Sequence, residues 1–293
     1  MKKLAPIAAA IALTATAGAF AANNTAVQSQ FGVGNLATAT QVGPGVDNNT
    51  ITQTQVGLLN LSTALQSAGN SLSTINHTQA GAFNAATSFQ IGSTLTTANI
   101  TQVGAANVGT TTQTAPSIGS VANINQNGFV NFASTLQTIS FFDVATVTQN
   151  GLLNLALVVQ PLGAFNTAAV TQTGVLNSAF HSQVGAFNTT TSNQLGALNS
   201  ATAIQTGFFN DSGILQAGAL NFALHTQLGA FNDAQSNQVG LLNIATKTQI
   251  GLGHDAVTTQ VGLLNSHFTT QIGFNETAFA TQVGIGNVGV ITQ

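Results

Sequence analysis

The residues able to do acid, base or metal chemistry are few, and they recur at a fixed interval. Asp211, Asp233 and Asp255 are 22 residues apart, and His181, His225 and Lys247 share one position of the same period. Such a carboxylate column reads either as a solvated strip that slows aggregation or as a weak Ca²⁺ site built from carboxylate oxygens. No complete coordination set accompanies it. His181 and His225 fall two periods apart, roughly 9.6 Å on stacked strands, which is too far to share one metal ion. By parity Lys247 should face inward, yet a buried lysine without a partner is costly. The expectation is that the strand opens onto solvent there, the alternative being a pH-sensitive patch. Gly284 to Gly289 spells G-x-G-x-x-G, but Gly284 and Asn287 are already positions of the repeat described below, and no helix follows. There is no cysteine, and no serine sits in a nucleophile elbow. The sequence therefore predicts no catalytic residue, no cofactor, no metal site and no small-molecule substrate.

Composition narrows the class further. Only 3 % of the 293 residues are charged while 44 % are hydrophobic, against about 25 % charged in ordinary soluble domains. Lys2 and Lys3 leave Lys247 as the remaining base, which excludes a nucleic-acid binder that tracks phosphates. Disorder is excluded because it combines low hydrophobicity with high net charge. Residues 1–21 carry two lysines, an apolar run from Leu4 to Leu13 and small residues ending in Ala19-Phe20-Ala21. They read as a secretory signal peptide, leaving 22–293 as the mature, exported chain.

That chain is a repeat of the form Q-x-G-x-x-N-x-x-x-x-x-Q. Its first Gln falls at Gln30, Gln55, Gln79, Gln102, Gln126, Gln149, Gln172, Gln194, Gln216, Gln238, Gln260 and Gln282, and the second Gln always follows eleven residues later. From the second Gln to the next unit the spacing shrinks from fourteen residues (Gln41 to Gln55) to eleven (from Gln183 onward). Insertions thus collect at one corner, which also holds Pro44, Pro116 and Pro161. Each unit contains two alternating seven-residue stretches, for example Ser120 to Gln126 and Asn131 to Gln137, and period two means strands. The first, third, fifth and closing residues vary least and form the buried face. Small Ala at the third position of one strand (Ala133, Ala156, Ala179) faces Ile or Val at the fifth of the other (Ile124, Val147, Val170).

Gly is expected where a tight reversal needs positive φ. Asn and Gln, stacked at about 4.8 Å, are expected to form amide ladders. Five units define the ladder positions: Gln30, Gly32, Asn35 and Gln41; Gln79, Gly81, Asn84 and Gln90; Gln126, Gly128, Asn131 and Gln137; Gln194, Gly196, Asn199 and Gln205; and Gln282, Gly284, Asn287 and Gln293. Strand, turn, strand and connection repeated twelve times predict an all-β fold, a β-solenoid of two parallel sheets with amyloid-like stacking.

Ser73 with Gln79, Gly81, Asn84, Ala86 and Gln90, and Ser120 with Gln126, Gly128, Asn131, Ala133 and Gln137, resemble the curlin repeat, S-x5-Q-x-G-x-x-N-x-A-x3-Q, of bacterial curli subunits. Asn166, Asn188, Asn210 and Asn232 stand where that pattern has Ser, and Asn can also ladder. The resemblance implies a functional amyloid at the bacterial cell surface, with a nucleator subunit and an outer-membrane secretion channel as partners. Independently, the first strand begins near Asn24 and the last unit closes at Gln293 without a polar capping repeat, so end-to-end stacking into a homopolymer is expected. Thr-rich outer positions such as Thr50, Thr52 and Thr54 keep an ice-binding solenoid as the alternative, beside a monomeric surface adhesin.

Overall fold

The computed structural model describes residues 23–293. The expected signal peptide, 1–21, lies outside the described residues. Twenty-four strands alternate between two sheets, from β1 (Thr25–Val33) and β2 (Leu36–Val42) to β23 (Thr277–Ile285) and β24 (Val288–Thr292). Odd-numbered strands form one twelve-stranded sheet and even-numbered strands the other, each in chain order. Every pairing is parallel, and apart from register shifts near the variable corner like residues stack on like, so Gln30 lies beside Gln55 and Gly32 beside Gly57. The chain is a β-solenoid of twelve rungs, as its period requires.

Alternation places the invariant face inside. Ser120, Ala122, Ile124, Gln126, Asn131, Ala133, Thr135 and Gln137 are all buried. The narrow core between the sheets is aliphatic along residues 86–179, where Ile100, Ile124, Val147, Val158 and Val170 pack against alanines.

Two local readings need correction. The strands that end at a Gly turn are mostly nine residues long and run through that Gly, as in Thr25–Val33. The Gly is laddered strand backbone, not the reversal itself. Its φ of +113 to +135 does call for glycine, but contact with the next rung is the stronger constraint. A Cβ at Gly32, Gly128 or Gly196 would lie 1.9–2.0 Å from the carbonyl oxygen of the stacked Gly, so no side chain fits. The chain actually reverses at the residue before Asn, with φ of 52–59° at Leu59, Phe83, Val130, Leu198 and Leu264. Such a conformation costs roughly 1–2 kcal/mol for a residue with a Cβ. The Asn that follows offsets it with several hydrogen bonds, each worth about 0.5–1.5 kcal/mol net.

The variable corner changes along the molecule. Up to residue 166 it is wide and carries an extra buried polar column, Asn70, Ser93, Ser117 and Ser140. Pro161 sits in a break of strand register between Val159 and Gly163, and Pro116 lies opposite another, between Thr138 and Phe141. Neither occupies a position where the ladder needs an N–H. From Gln183 onward the corner copies the fixed turn, with Gly185, Gly207, Gly229 and Gly251 at φ of +109 to +136.

Candidate functional site

Two columns of glutamine run the length of the core, and both are unbroken. From Gln30 to Gln282 each Nε2 donates to the Oε1 of the next rung, as at Gln30–Gln55, Gln79–Gln102, Gln126–Gln149 and Gln194–Gln216, 2.8–2.9 Å apart. The second column runs likewise through Gln41–Gln66, Gln90–Gln113, Gln137–Gln160 and Gln205–Gln227 to Gln271–Gln293 at 2.8–3.0 Å. The other Nε2 proton ties the amide to the facing strand, for example Gln172 to the Leu155 carbonyl at 2.9 Å. A buried primary amide in this register has its donors and acceptor satisfied, which removes the penalty for burying it.

Asparagine ladders work in the opposite sense. Asn60 donates its backbone N–H (3.0 Å) and its Nδ2 (3.1 Å) to Asn35 Oδ1, and its Nδ2 also reaches the Gly81 carbonyl (3.0 Å). Asn84, Asn131 and Asn199 repeat this, and Asn287 donates both groups to Asn265 Oδ1. All twenty ladder residues named from sequence therefore occupy the Gln columns, the stacked Gly or the Asn column.

At the variable corner the corresponding column is mixed, running through Ser73, Thr96, Ser120, Asp143 and Asn166 to His254 and Glu276. Asp143 accepts the Asn166 N–H at 2.7 Å, and burial raises its carboxyl above the usual carboxylate range. His254 Nδ1 lies 3.6 Å from Glu276 Oε2.

Lys247 corrects the expectation of a solvent-open strand, because it is fully buried. It stands on β20 (Ile244–Leu252), and its Nζ crosses the core to donate to the Gln235 carbonyl and, at 2.6 Å, to Ser236 Oγ. Burial pulls its pKa down to about 7 against the favourable pull of Asp233 and Asp255. His181 and His225 are buried too. His181 Nε2 meets Ser192 Oγ at 2.6 Å and Nδ1 meets Thr190 Oγ1 at 3.0 Å. His225 lies between Ser212 Oγ (2.8 Å) and Ser236 Oγ (2.7 Å). A neutral imidazole supplies one donor and one acceptor and suits two hydroxyls. Desolvation holds His181 down at about 3, and keeps His225 well below its ordinary value with added repulsion from Lys247 and His181. The sequence reading passed over His77, which is buried between Ser62 Oγ (2.8 Å) and Ser88 Oγ (2.6 Å) and likewise held at about 3. Its signal was available, since it occupies the fifth position of a strand.

Asp211, Asp233 and Asp255 do stack on neighbouring rungs. Burial and then mutual repulsion with Asp233 raise Asp211 and Asp255 above the usual range. Among the described residues no group of three or more His, Cys, Asp and Glu is placed to hold a metal ion. At the variable corner Phe142, Phe165, Phe187, Phe209 and Phe231 form a stack with ring centroids 4.7–5.3 Å apart.

Among the described residues, the outer edges of the first and last rungs have no strand partner: β1 and β2 at one end, β23 and β24 at the other. Residues 23–42 and 276–293 hold a single charged side chain, Glu276, and no proline. Natural proteins protect exposed edges with charge, proline or bulges. These edges have little of that protection.

A comparison with curated proteins found no match. Residues 145–174, which span the Val147 and Val170 core, both Gln columns and the Asn154 turn, match the family model of the curlin associated repeat, so the chain carries a curlin repeat, whose Gln, Gly and Asn positions recur in phase along the stack.

Proposed function

We propose that this chain is a secreted structural subunit that self-assembles into curli-like extracellular amyloid fibres of a biofilm matrix, and that it has no enzymatic role. The observation that carries the reading is the pair of unbroken, in-register glutamine ladders, an amide stacking that further rungs would extend along the same axis. The curlin repeat at 145–174 supports it, because that repeat is the unit of a structural amyloid family. A nucleator subunit and an outer-membrane secretion channel belong to the same proposal as partners.

Exposed apolar side chains such as Phe132, Leu155, Phe187 and Phe209 line the outer surfaces. They suit lateral bundling or adhesion, since contiguous apolar surface of this kind marks contact sites. The test is incubation of the purified chain with an amyloid-binding dye, followed by electron microscopy. Dye-positive fibres with a 4.7–4.8 Å meridional reflection are expected. A chain that stays monomeric at high concentration overturns the reading. Thermal hysteresis of that monomer would then point to ice binding, and its absence to an adhesin.

A further inference from the structure

We propose that the outer face of the even-numbered sheet pairs with the same face of a second copy, the two solenoids lying side by side and related by a two-fold axis along the stack. The inference rests on the lateral-contact reading and adds its face, its partner and its geometry; growth along the axis is separate from it.

The two faces of the solenoid differ in polarity. Asp211, Asp233 and Asp255 open odd-numbered strands and lie on their outer face, where Asn76, Asn99 and Asn123 also bond to one another at 2.8–2.9 Å. Among the described residues, no charged or amide side chain faces outward from an even-numbered strand. Burying a carboxylate without a partner is costly, so the even-numbered face is the one that can lose its water. At about 4.8 Å per rung and about 3.3 Å per residue, twelve rungs of roughly seven residues make a flat area of roughly 1,200 Å². That exceeds the ~800 Å² each partner gives to a standard interface.

The relief of that face is complementary to itself. Each even-numbered strand points two central side chains outward, and on eight of the twelve strands one is bulky and apolar while the other is Thr or Ser. Examples are Thr87 and Phe89 on β6 (Ala85–Thr94), Phe180 and Ser182 on β14 (Ser178–Ala186), and Leu224 and Thr226 on β18 (Phe222–Ala230). Three further strands carry two hydroxyls, and only β12 (Leu155–Ala164) carries two bulky residues, Leu157 and Val159. A two-fold axis along the stack reverses strand direction but keeps the rung. The bulky residue of each strand therefore meets the small one of the same strand in the other copy, and the two faces interdigitate about 10 Å apart. Threonine hydroxyls covered in this way can bond along their own column, as Thr114 does to Thr138 at 3.2 Å.

Sedimentation equilibrium of the freshly purified, soluble chain tests the pairing, with strand content checked by circular dichroism and fibre growth scored separately with an amyloid-binding dye. The parent should be a dimer. Thr226→Phe sets a phenylalanine against Leu224 of the second copy and should weaken the dimer at least tenfold, although it adds apolar surface. The double variant Leu224→Thr, Thr226→Phe restores one bulky and one small residue on that strand and should recover the parental affinity. Thr191→Phe, on the outer face of the odd-numbered sheet, should change nothing. A monomeric parent overturns the pairing whether or not fibres form. A dimer that Thr226→Phe leaves unchanged or tightens, or that the double variant does not recover, overturns the size-matched two-fold geometry, and one that Thr191→Phe weakens overturns the choice of face. A paired chain that never forms fibres overturns the assembly reading alone.

Discussion

The stretch 97–170 and the stretch 178–271 are built on one frame with two different fillings. In the first, five of the seven fifth-position core residues, Ile100, Ile124, Val147, Val158 and Val170, are aliphatic, the other two being Thr111 and Thr135, and the variable corner is wide. In the second, the corresponding positions include His181, Ser192, His225, Ser236, Lys247, Thr258 and Thr269, and both corners share one geometry. The Gln–Gln distances nevertheless remain 2.8–3.0 Å in both. Amide ladders and stacked glycines therefore set the rung spacing, while the filling decides how the core responds to pH.

The largest difference should come from glycine at the same corner in the wide and the narrow parts of the molecule. Gly207→Ala would place a Cβ 1.8 Å from the Gly229 carbonyl oxygen, whereas at Gly69 a Cβ meets nothing within 4 Å. Chemical denaturation of the two variants should show loss of the cooperative transition for Gly207→Ala. Gly69→Ala, at φ +84, should lose only about 1–2 kcal/mol, the strain of a side chain in the left-handed region. Equal effects would mean that the narrow corner does not stack as described.

A response to pH should separate the stretches next. His181 and His225 have folded pKa values below the unfolded value, so the unfolded chain binds more protons and stability falls as pH drops below 6.5, for His181 down to about 3. Lys247 has the same sign in a higher window. Stability falls as pH drops from 10.5 to about 7, by on the order of a few kcal/mol at about 1.4 kcal/mol per pKa unit. Asp143, in the first stretch, acts oppositely: its raised pKa makes stability fall as pH rises above 3.8. Asp211 and Asp255 share that sign from positions more open to solvent. Hydrogen exchange corrected for intrinsic rates should therefore show the second stretch losing protection from pH 10 to 7 and again below 6.5, while the first does not. Lys247→Met should abolish the upper window alone.

The smallest difference should lie at the reversal residues. Leu95 (φ 57°) and Phe187 (φ 57°) both strain the backbone, but only Phe187 stacks on neighbouring rings, at 5.0 and 4.7 Å. Leu95→Gly should be near neutral as relief of strain offsets lost contact. Phe187→Gly should unfold more readily by about 1 kcal/mol, since each stacked pair contributes about 0.5–1.5 kcal/mol. Thermal unfolding that ranks the two in reverse would show that the aromatic column contributes nothing to the corner.

The sequence by itself determined the repeat phase, both buried faces and the Gln, Asn and Gly columns. Identity at a fixed period, with side chains alternating between two faces, leaves one register in which Gln79 meets Gln102 and Asn84 meets Asn107. Tertiary structure alone decided the fate of Lys247. Parity pointed it inward, but the groups that satisfy its ammonium, the Gln235 carbonyl and Ser236 Oγ, come from the opposite wall twelve and eleven residues away, and no local pattern announces them. The reason for the invariant glycines was hidden in the same way. A turn requirement can be read from one unit, whereas a carbonyl oxygen 1.9 Å from an imagined Cβ belongs to the next rung and exists only once the stack has formed.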